Sequence, residues 1–178
     1  LTVAAFSRKH RLAERDLVLI HPTRLLQRKN VEFGMAVLAE LRRRSRDAVL
    51  LITAAADPHN AVSAEYAKLL RKRRSELELE SSALFVSDEL EPTRGDIASL
   101  YALADALLFP STQEGFGLPV LEAALHRLPI FCADVEPMNS LLAHSVHAFD
   151  PYGSPSDVAK LIERVLEQVF AGGGGGAE

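Results

Sequence analysis

Residues 106–125 read ALLFPSTQEGFGLPVLEAAL. Four apolar residues, Ala106 to Phe109, form a buried-strand pattern that Pro110 ends. A polar, glycine-interrupted loop follows, and a helix is predicted from Leu118 to about Arg127, with Pro119 in its first turn, where a missing N–H costs nothing. Gly115 and Gly117 are expected to supply backbone torsions that other residues avoid and to let a ligand approach the main chain. The loop then delivers free N–H groups and the positive end of a helix dipole to one point, which is an anion site.

The rest of the chain repeats the strand-then-helix pattern. Leu17 to Ile20 and Ala48 to Thr53 are apolar runs read as strands, as are Ala83 to Val86, Pro129 to Cys132 and Val146 to Phe149. Helices are predicted between them. One starts after Asn30, read as its N-cap, with Val31, Met35, Leu38 and Leu41 on one face. Others cover Ala61 to Arg74, Asp96 to Ala104, Pro137 to Ala143 and Asp157 to Phe170. Continuous apolar strands alternating with helices mark a parallel sheet covered on both faces. The predicted fold is therefore α/β, a doubly wound, Rossmann-like parallel sheet of about six strands. Residues 1–16 read as a linker, 17–170 as the domain, and the glycine-rich 171–178 as a disordered tail.

Ligands of such folds bind beyond the C-terminal ends of the strands, where strand order reverses. In the order 3-2-1-4-5-6, strands one and four are neighbours. Arg24 and Lys29, which follow strand one, are thus expected beside the glycine loop that follows strand four. Glu114 and Glu122 are separated by seven residues around that loop. Helical side chains lean toward the N-terminus, so the Glu122 carboxylate is expected to reach the helix mouth. A carboxylate there suits hydroxyls beside a phosphate, such as those of a ribose. A sugar nucleotide carries both groups.

Composition narrows the class. The chain has 178 residues, enough for one large domain, and 48% are hydrophobic, enough for a full core. A formal charge of −4 argues against nucleic acid as the main partner. The single cysteine, Cys132, excludes an internal disulfide and a cysteine-rich zinc site, and agrees with a reducing, cytoplasmic compartment. No apolar run approaches the roughly 20 residues that span a bilayer. The absence of an initial methionine at Leu1 reads as a piece of a longer protein.

Three sets of residues carry a resemblance. They are Thr23-Arg24-Leu25 with Lys29, Tyr101 through Phe109-Pro110-Ser111, and Glu114-Gly115-Phe116-Gly117-Leu118-Pro119-Val120-Leu121-Glu122-Ala123. Together they resemble the C-terminal, nucleotide-sugar-binding half of group 1 glycosyltransferases, the retaining transferases of the GT-B fold, over about residues 17–170. The last set is that family's E-x7-E motif. The resemblance implies that Arg24 and Lys29 neutralise the donor diphosphate and that Glu114 binds hydroxyls of the transferred sugar. It further implies that the backbone of Phe116, Gly117 and Leu118, with Gly115 beside them, lines the donor site, and that Glu122 holds the ribose. No metal or separate cofactor is implied. The implied partners are a nucleotide-diphospho-sugar, an N-terminal domain that carries the acceptor site, and an acceptor that is a lipid, a saccharide or a small metabolite. Thr23 stands where most members have glycine, so the first loop is expected to differ in shape.

Blander readings stand beside these. Arg24 and Lys29 read alone are surface cations, and Phe116 reads equally as a plug in the core or a ligand contact. The arginine runs at 42–46 and 71–74 read as solvated helix ends, with attraction to the inner face of an anionic membrane as the alternative. Asp88-Glu89-Leu90-Glu91 reads as a solvated loop, and His144 with His147 lacks the set of ligands a metal needs. A catalytically inactive module that binds nucleotide sugar or a partner is the rival function. A nicotinamide dehydrogenase would need Gly-x-Gly-x-x-Gly after the first strand, and His21 to Asn30 contains no glycine.

Overall fold

The computed structural model describes residues 1–53, 61–141 and 145–172. The strands are β1 (Leu17–His21), β2 (Ala48–Ile52), β3 (Ala83–Phe85), β4 (Ala106–Phe109), β5 (Ile130–Ala133) and β6 (His147–Phe149). They form one six-stranded sheet in the order β3-β2-β1-β4-β5-β6, and every pair is parallel. The helices are α1 (Val3–Lys9), α2 (Val31–Arg43), α3 (Ala61–Glu76), α4 (Arg94–Leu103), α5 (Leu118–Leu125), α6 (Met138–Leu141) and α7 (Pro155–Gly172). Parallel neighbours need a crossover that packs back on the sheet, and the helices provide it on both faces.

The strands are buried on both sides, so alternate residues feed two cores. Leu19, Leu50, Ile52, Leu108 and Phe131 point to the face covered by α2, α3 and α7. Val18, Ile20, Val49, Leu51, Leu107, Phe109 and Cys132 point to the face covered by α1, α4 and α5. All residues of β1, β2, β4 and β5 are buried. This explains why those strands read as continuous apolar runs rather than alternating ones. The start of β1 is tied to the start of β4 by Asp105, whose carboxylate accepts from the Val18 N–H at 2.7 Å. Burial pushes the Asp105 carboxyl up from its ordinary value.

Residues 1–16 are not an extended linker. Thr2 caps α1 by accepting from the Ala5 N–H at 3.2 Å, and Phe6 is fully buried in the second core. A 3-10 turn at Leu12–Glu14 then leads into β1, with Leu12 also buried. The helix is short, and Val3 and Phe6 are its buried residues, which is too few for a period to show in the sequence. At α4 the helix starts two residues before the expected Asp96. Thr93 and Asp96 form a reciprocal capping box, a Thr-x-x-acid signature that fixes the start at Arg94. Asn30 does precede α2, but its side chain makes no cap bond. Its backbone is left-handed, at φ 53°, a conformation asparagine tolerates better than most residues.

The charged runs are also ordered. Arg42 pairs with Asp47 at 3.1 Å, Arg44 with Glu163 at 2.7 Å and Arg46 with Glu167 at 3.2 Å. Arg71 pairs with Asp88 at 2.6 Å, and Glu89 with both Lys9 and His10 at 2.9 Å. The segment 88–91 is thus held by cations, and Leu90 is buried within it. These arginines answer acidic groups of the same chain, which weakens the case for a membrane-facing basic surface. The loop Ala54 to Asn60, His144 and residues 173–178 lie outside the described residues. Among the described residues no helix is long and apolar enough to cross a membrane.

If α1 belongs to the domain, Phe6→Ala should leave a cavity and cost about 3 kcal/mol. Denaturant unfolding measures this as a lowered midpoint at unchanged slope. A loss below about 0.5 kcal/mol would show α1 to be a dispensable extension.

Candidate functional site

The strand order reverses between β1 and β4, which pair at Leu19–Ala106 and Ile20–Leu107. The loops leaving these two strands therefore start side by side. They are laced together. The Arg28 carbonyl accepts from the Thr112 N–H at 2.8 Å and from the Thr112 hydroxyl at 3.2 Å. The Arg28 guanidinium donates to the Gln113 carbonyl at 2.8 Å. The Asn30 amide, freed from capping, donates to the Pro110 carbonyl at 3.2 Å and to the Pro151 carbonyl at 3.1 Å, which adds the β6–α7 loop.

At the centre Lys29 and Glu114 form an ion pair. Their side chains are 11% and 7% exposed, so the pair is largely removed from water. The Ser111 hydroxyl donates to the same Glu114 oxygen, Oε1, at 2.6 Å. Lys29 also lies over the Phe109 ring, with Nζ 5.5 Å from the centroid. Glu114 Oε2 has no partner among the described residues. Arg24 lies on the same loop as Lys29, exposed and without a side-chain partner among the described residues. The Thr23 hydroxyl donates to the Arg24 carbonyl at 2.8 Å, and its N–H donates to Thr53 Oγ1 at 3.2 Å. Thr23 is not among the residues with positive φ, so the loop turns without the torsion that glycine would allow.

The glycine loop departs from expectation at several residues. Gly117 alone of its two glycines is left-handed, at φ 74°, and it opens α5. Gly115 takes no such torsion and faces open space, so its value is an unobstructed backbone. Phe116 is 57% exposed, which overturns the core-plug reading. Leu118 beside it is also exposed.

Glu122 is not in contact with the Glu114 cluster. It turns toward α4, where the Tyr101 hydroxyl donates to Glu122 Oε2 at 3.0 Å. Burial, then the Glu122 charge, pushes the Tyr101 phenol well above its ordinary range, so it is a permanent donor. Glu122 Oε1 has no partner among the described residues. The carboxylate lines a groove between α4 and α5 that Leu118, at the mouth of α5, also lines. Mouth and groove are therefore continuous, although the two glutamates stand in separate hydrogen-bond networks.

The sequence assigned no role to three residues here. Arg28 makes the loop-to-loop bonds and Ser111 orients Glu114, and each stands next to a residue the sequence did single out. His21 ends β1 beneath Lys29, fully buried, with neither ring nitrogen bonded. Burial, with Lys29 nearby, lowers its pKa to about 3, so it is neutral. Cys132 lies buried in β5 with its thiol pushed up to about 11, chiefly by burial, and is no nucleophile. Among the described residues no group of three or more His, Cys, Asp or Glu is placed to hold a metal ion.

Two loops that leave the C-terminal ends of neighbouring β1 and β4, one carrying cations and the other opening a helix, define an α/β domain of the switch-point class. Known proteins narrow that class. The sequence matches the family described as Glycosyl transferases group 1 over residues 3–169, and the chain belongs to that family. Serotype-specific mannosyltransferase WbdA of Escherichia coli is 38% identical over 81 residues, 46% of this chain and 9% of WbdA. Alpha-D-kanosaminyltransferase of Streptomyces kanamyceticus is 28% identical over 166 residues, 92% of this chain and 40% of that enzyme. The chain thus spans less than half the length of these curated relatives. The C-terminal domain of a group 1 glycosyl transferase, LpcC, from Francisella tularensis superposes with a TM-score of 0.70 at 16% identity. The match covers 94% of this chain and 88% of that one and concerns the fold alone.

Two substitutions separate the roles of the loop residues. Glu114→Ala strands a largely buried ammonium, so it should cost about 3 kcal/mol in unfolding free energy. Glu114→Gln keeps an acceptor for Lys29 and should cost less. Gly117→Ala should cost about 1 kcal/mol for its left-handed backbone, whereas Gly115→Ala should stay within about 0.5 kcal/mol of the parent. Equal losses at the two glycines would contradict the torsions described.

Proposed function

We propose that this domain binds the nucleotide-diphospho-sugar donor of a retaining, hexosyl-type glycosyltransferase. One observation carries the reading. Glu114 and Glu122 each commit one carboxylate oxygen to the protein and leave the other without a partner among the described residues. A carboxylate oriented by one oxygen and open at the other is a prepared acceptor for hydroxyls. The two stand on either side of a helix mouth suited to phosphate. A ligand with hydroxyls at both ends and phosphates between them fits this order.

In this reading Glu122 holds the ribose and Glu114 the transferred sugar. The diphosphate lies between them, against Arg24, Lys29 and the backbone of Gly115 to Leu118. The Lys29 ammonium has three donors, of which Glu114 uses one, so it can serve sugar-side carboxylate and phosphate together. The diphosphate leaves with negative charge, and fixed cations and N–H dipoles stabilise charge that grows in the transition state. That assigns to Arg24, Lys29 and the α5 mouth the work a metal would otherwise do. The acceptor hydroxyl, held by an N-terminal domain of the same protein, attacks the anomeric carbon on the face the diphosphate leaves. Sugar configuration is then retained. The buried, reduced cysteine suits a cytoplasmic enzyme, and the acceptor is a lipid, a saccharide or a small metabolite.

Calorimetric titration of the chain with UDP, GDP and ADP, beside Glu122→Ala, tests this. A charge-assisted hydrogen bond is worth roughly 1.5–3 kcal/mol, so the variant should bind at least about tenfold more weakly. Its melting temperature should be unchanged, because Glu122 is exposed. Nucleotide binding that ignores Glu122→Ala would sink the ribose assignment and favour a partner-binding module instead.

A further inference from the structure

The groove between α4 and α5 has a volume of about 480 Å³, within the range of small-molecule sites. Its walls are apolar, from Ile97 on α4 and Leu118 and Leu125 on α5. Tyr101 and His126 also line it, stacked with centroids 5.3 Å apart and planes at 11°. Glu122 supplies an open carboxylate oxygen, and Arg94 supplies the groove's guanidinium.

Arg94 is placed against its own stability. It is the first residue of α4, at the positive end of the helix dipole, where a cation is disfavoured. It has no ion pair or hydrogen bond among the described residues, unlike the arginines of the 42–46 and 71–74 runs, which pair within the chain or pack on Phe85. Leu118 and Leu125 are 59% and 84% exposed and present apolar surface at the groove. An unpaired fork of donors, apolar walls and an acceptor on one groove ask for a flat apolar body with hydrogen-bonding edges.

We infer that this groove takes the base of the donor nucleotide and that Arg94 makes it selective for guanine. The inference rests on the donor-binding reading, through the ribose at Glu122. With its ribose hydroxyls on Glu122 Oε1, the nucleoside lies along the groove toward α4, its base between the apolar walls. The planar guanidinium then meets the base edge. Guanine presents two adjacent acceptors, O6 and N7, which match that fork. Adenine places the N6 amino donor beside N7, so one arm of Arg94 would face a donor. A pyrimidine has no N7 and offers the fork a single acceptor on that edge. Arg94 therefore selects among bases, while Glu122 holds any ribonucleotide.

The test is titration of the chain with GDP, UDP and ADP, for the parent, Arg94→Ala, Arg94→Lys and Glu122→Ala. The parent should favour GDP over both others by about tenfold or more. Arg94→Ala should abolish that preference by weakening GDP alone, and Arg94→Lys should restore part of it. The melting temperature of Arg94→Ala should not fall, since the substitution removes a cation from a helix N-terminus. A parent that prefers UDP or ADP, or a preference for GDP that survives Arg94→Ala, overturns the inference. If Glu122→Ala weakens every nucleotide while Arg94→Ala changes none, only the base assignment falls. If no nucleotide binds the parent, both assignments fall.

Discussion

The contact between Lys29 and Glu114 is the constraint on which the site depends. Each residue comes from a different crossover, 85 positions apart in the chain. They meet because β1 and β4 pair in parallel at the centre of the sheet, which sends both following loops in one direction. A largely buried ion pair has a large desolvation cost, recovered only when its geometry and its further hydrogen bonds are good. Ser111 supplies one such bond, and the Arg28 carbonyl, which accepts from Thr112, holds the second loop in place. The pair contributes less net stability than it does register. It sets where the glycine loop lies relative to the first loop, and so where an anion could sit.

The two glutamates of one motif have different supports, and the difference follows from their elements. Glu114 stands on a loop with no backbone ladder to fix it, and side-chain and carbonyl bonds from the first loop do so instead. Glu122 stands one turn inside α5, already positioned by the helix, and needs only Tyr101 to orient its carboxylate. Tyr101 in turn is fixed by burial against the sheet, and the Pro119 carbonyl at 3.2 Å is an alternative acceptor for its single proton. Remote packing of α4 thus reaches the site through one phenol.

The strand order, both faces of the sheet and the meeting of Lys29 with the glycine loop were legible in the sequence, because each follows from a long-range rule. Apolar runs such as Ala48–Ile52 give buried strands, and alternating strand and helix gives the order. What was not legible was local geometry that a residue type does not determine. Asn30 reads as a cap by type, yet its left-handed backbone redirects the amide across to Pro110. The two glycines look alike, yet only Gly117 has a positive φ. Val3 and Phe6 make too short a pattern to announce α1. Phe116 faces solvent although an aromatic flanked by glycines could equally have turned inward. The direction of Glu122 depends on where α4 packs, and no spacing within α5 encodes that.

The charges beneath the mouth explain which cations remain for an incoming anion. His21 lies under Lys29 and would add a second positive charge if protonated. Burial and Lys29 itself forbid this, and a pKa of about 3 keeps the ring neutral. Lys29 and Glu114 then offset each other, apart from the direction of their dipole. Arg28 Nη1 also stands 3.9 Å from the paired Glu114 oxygen, so the uncompensated positive field at the opening comes from Arg24 and Arg28, on the first loop, and from the N-terminus of α5. Arg24 is exposed, so solvent and salt screen its charge.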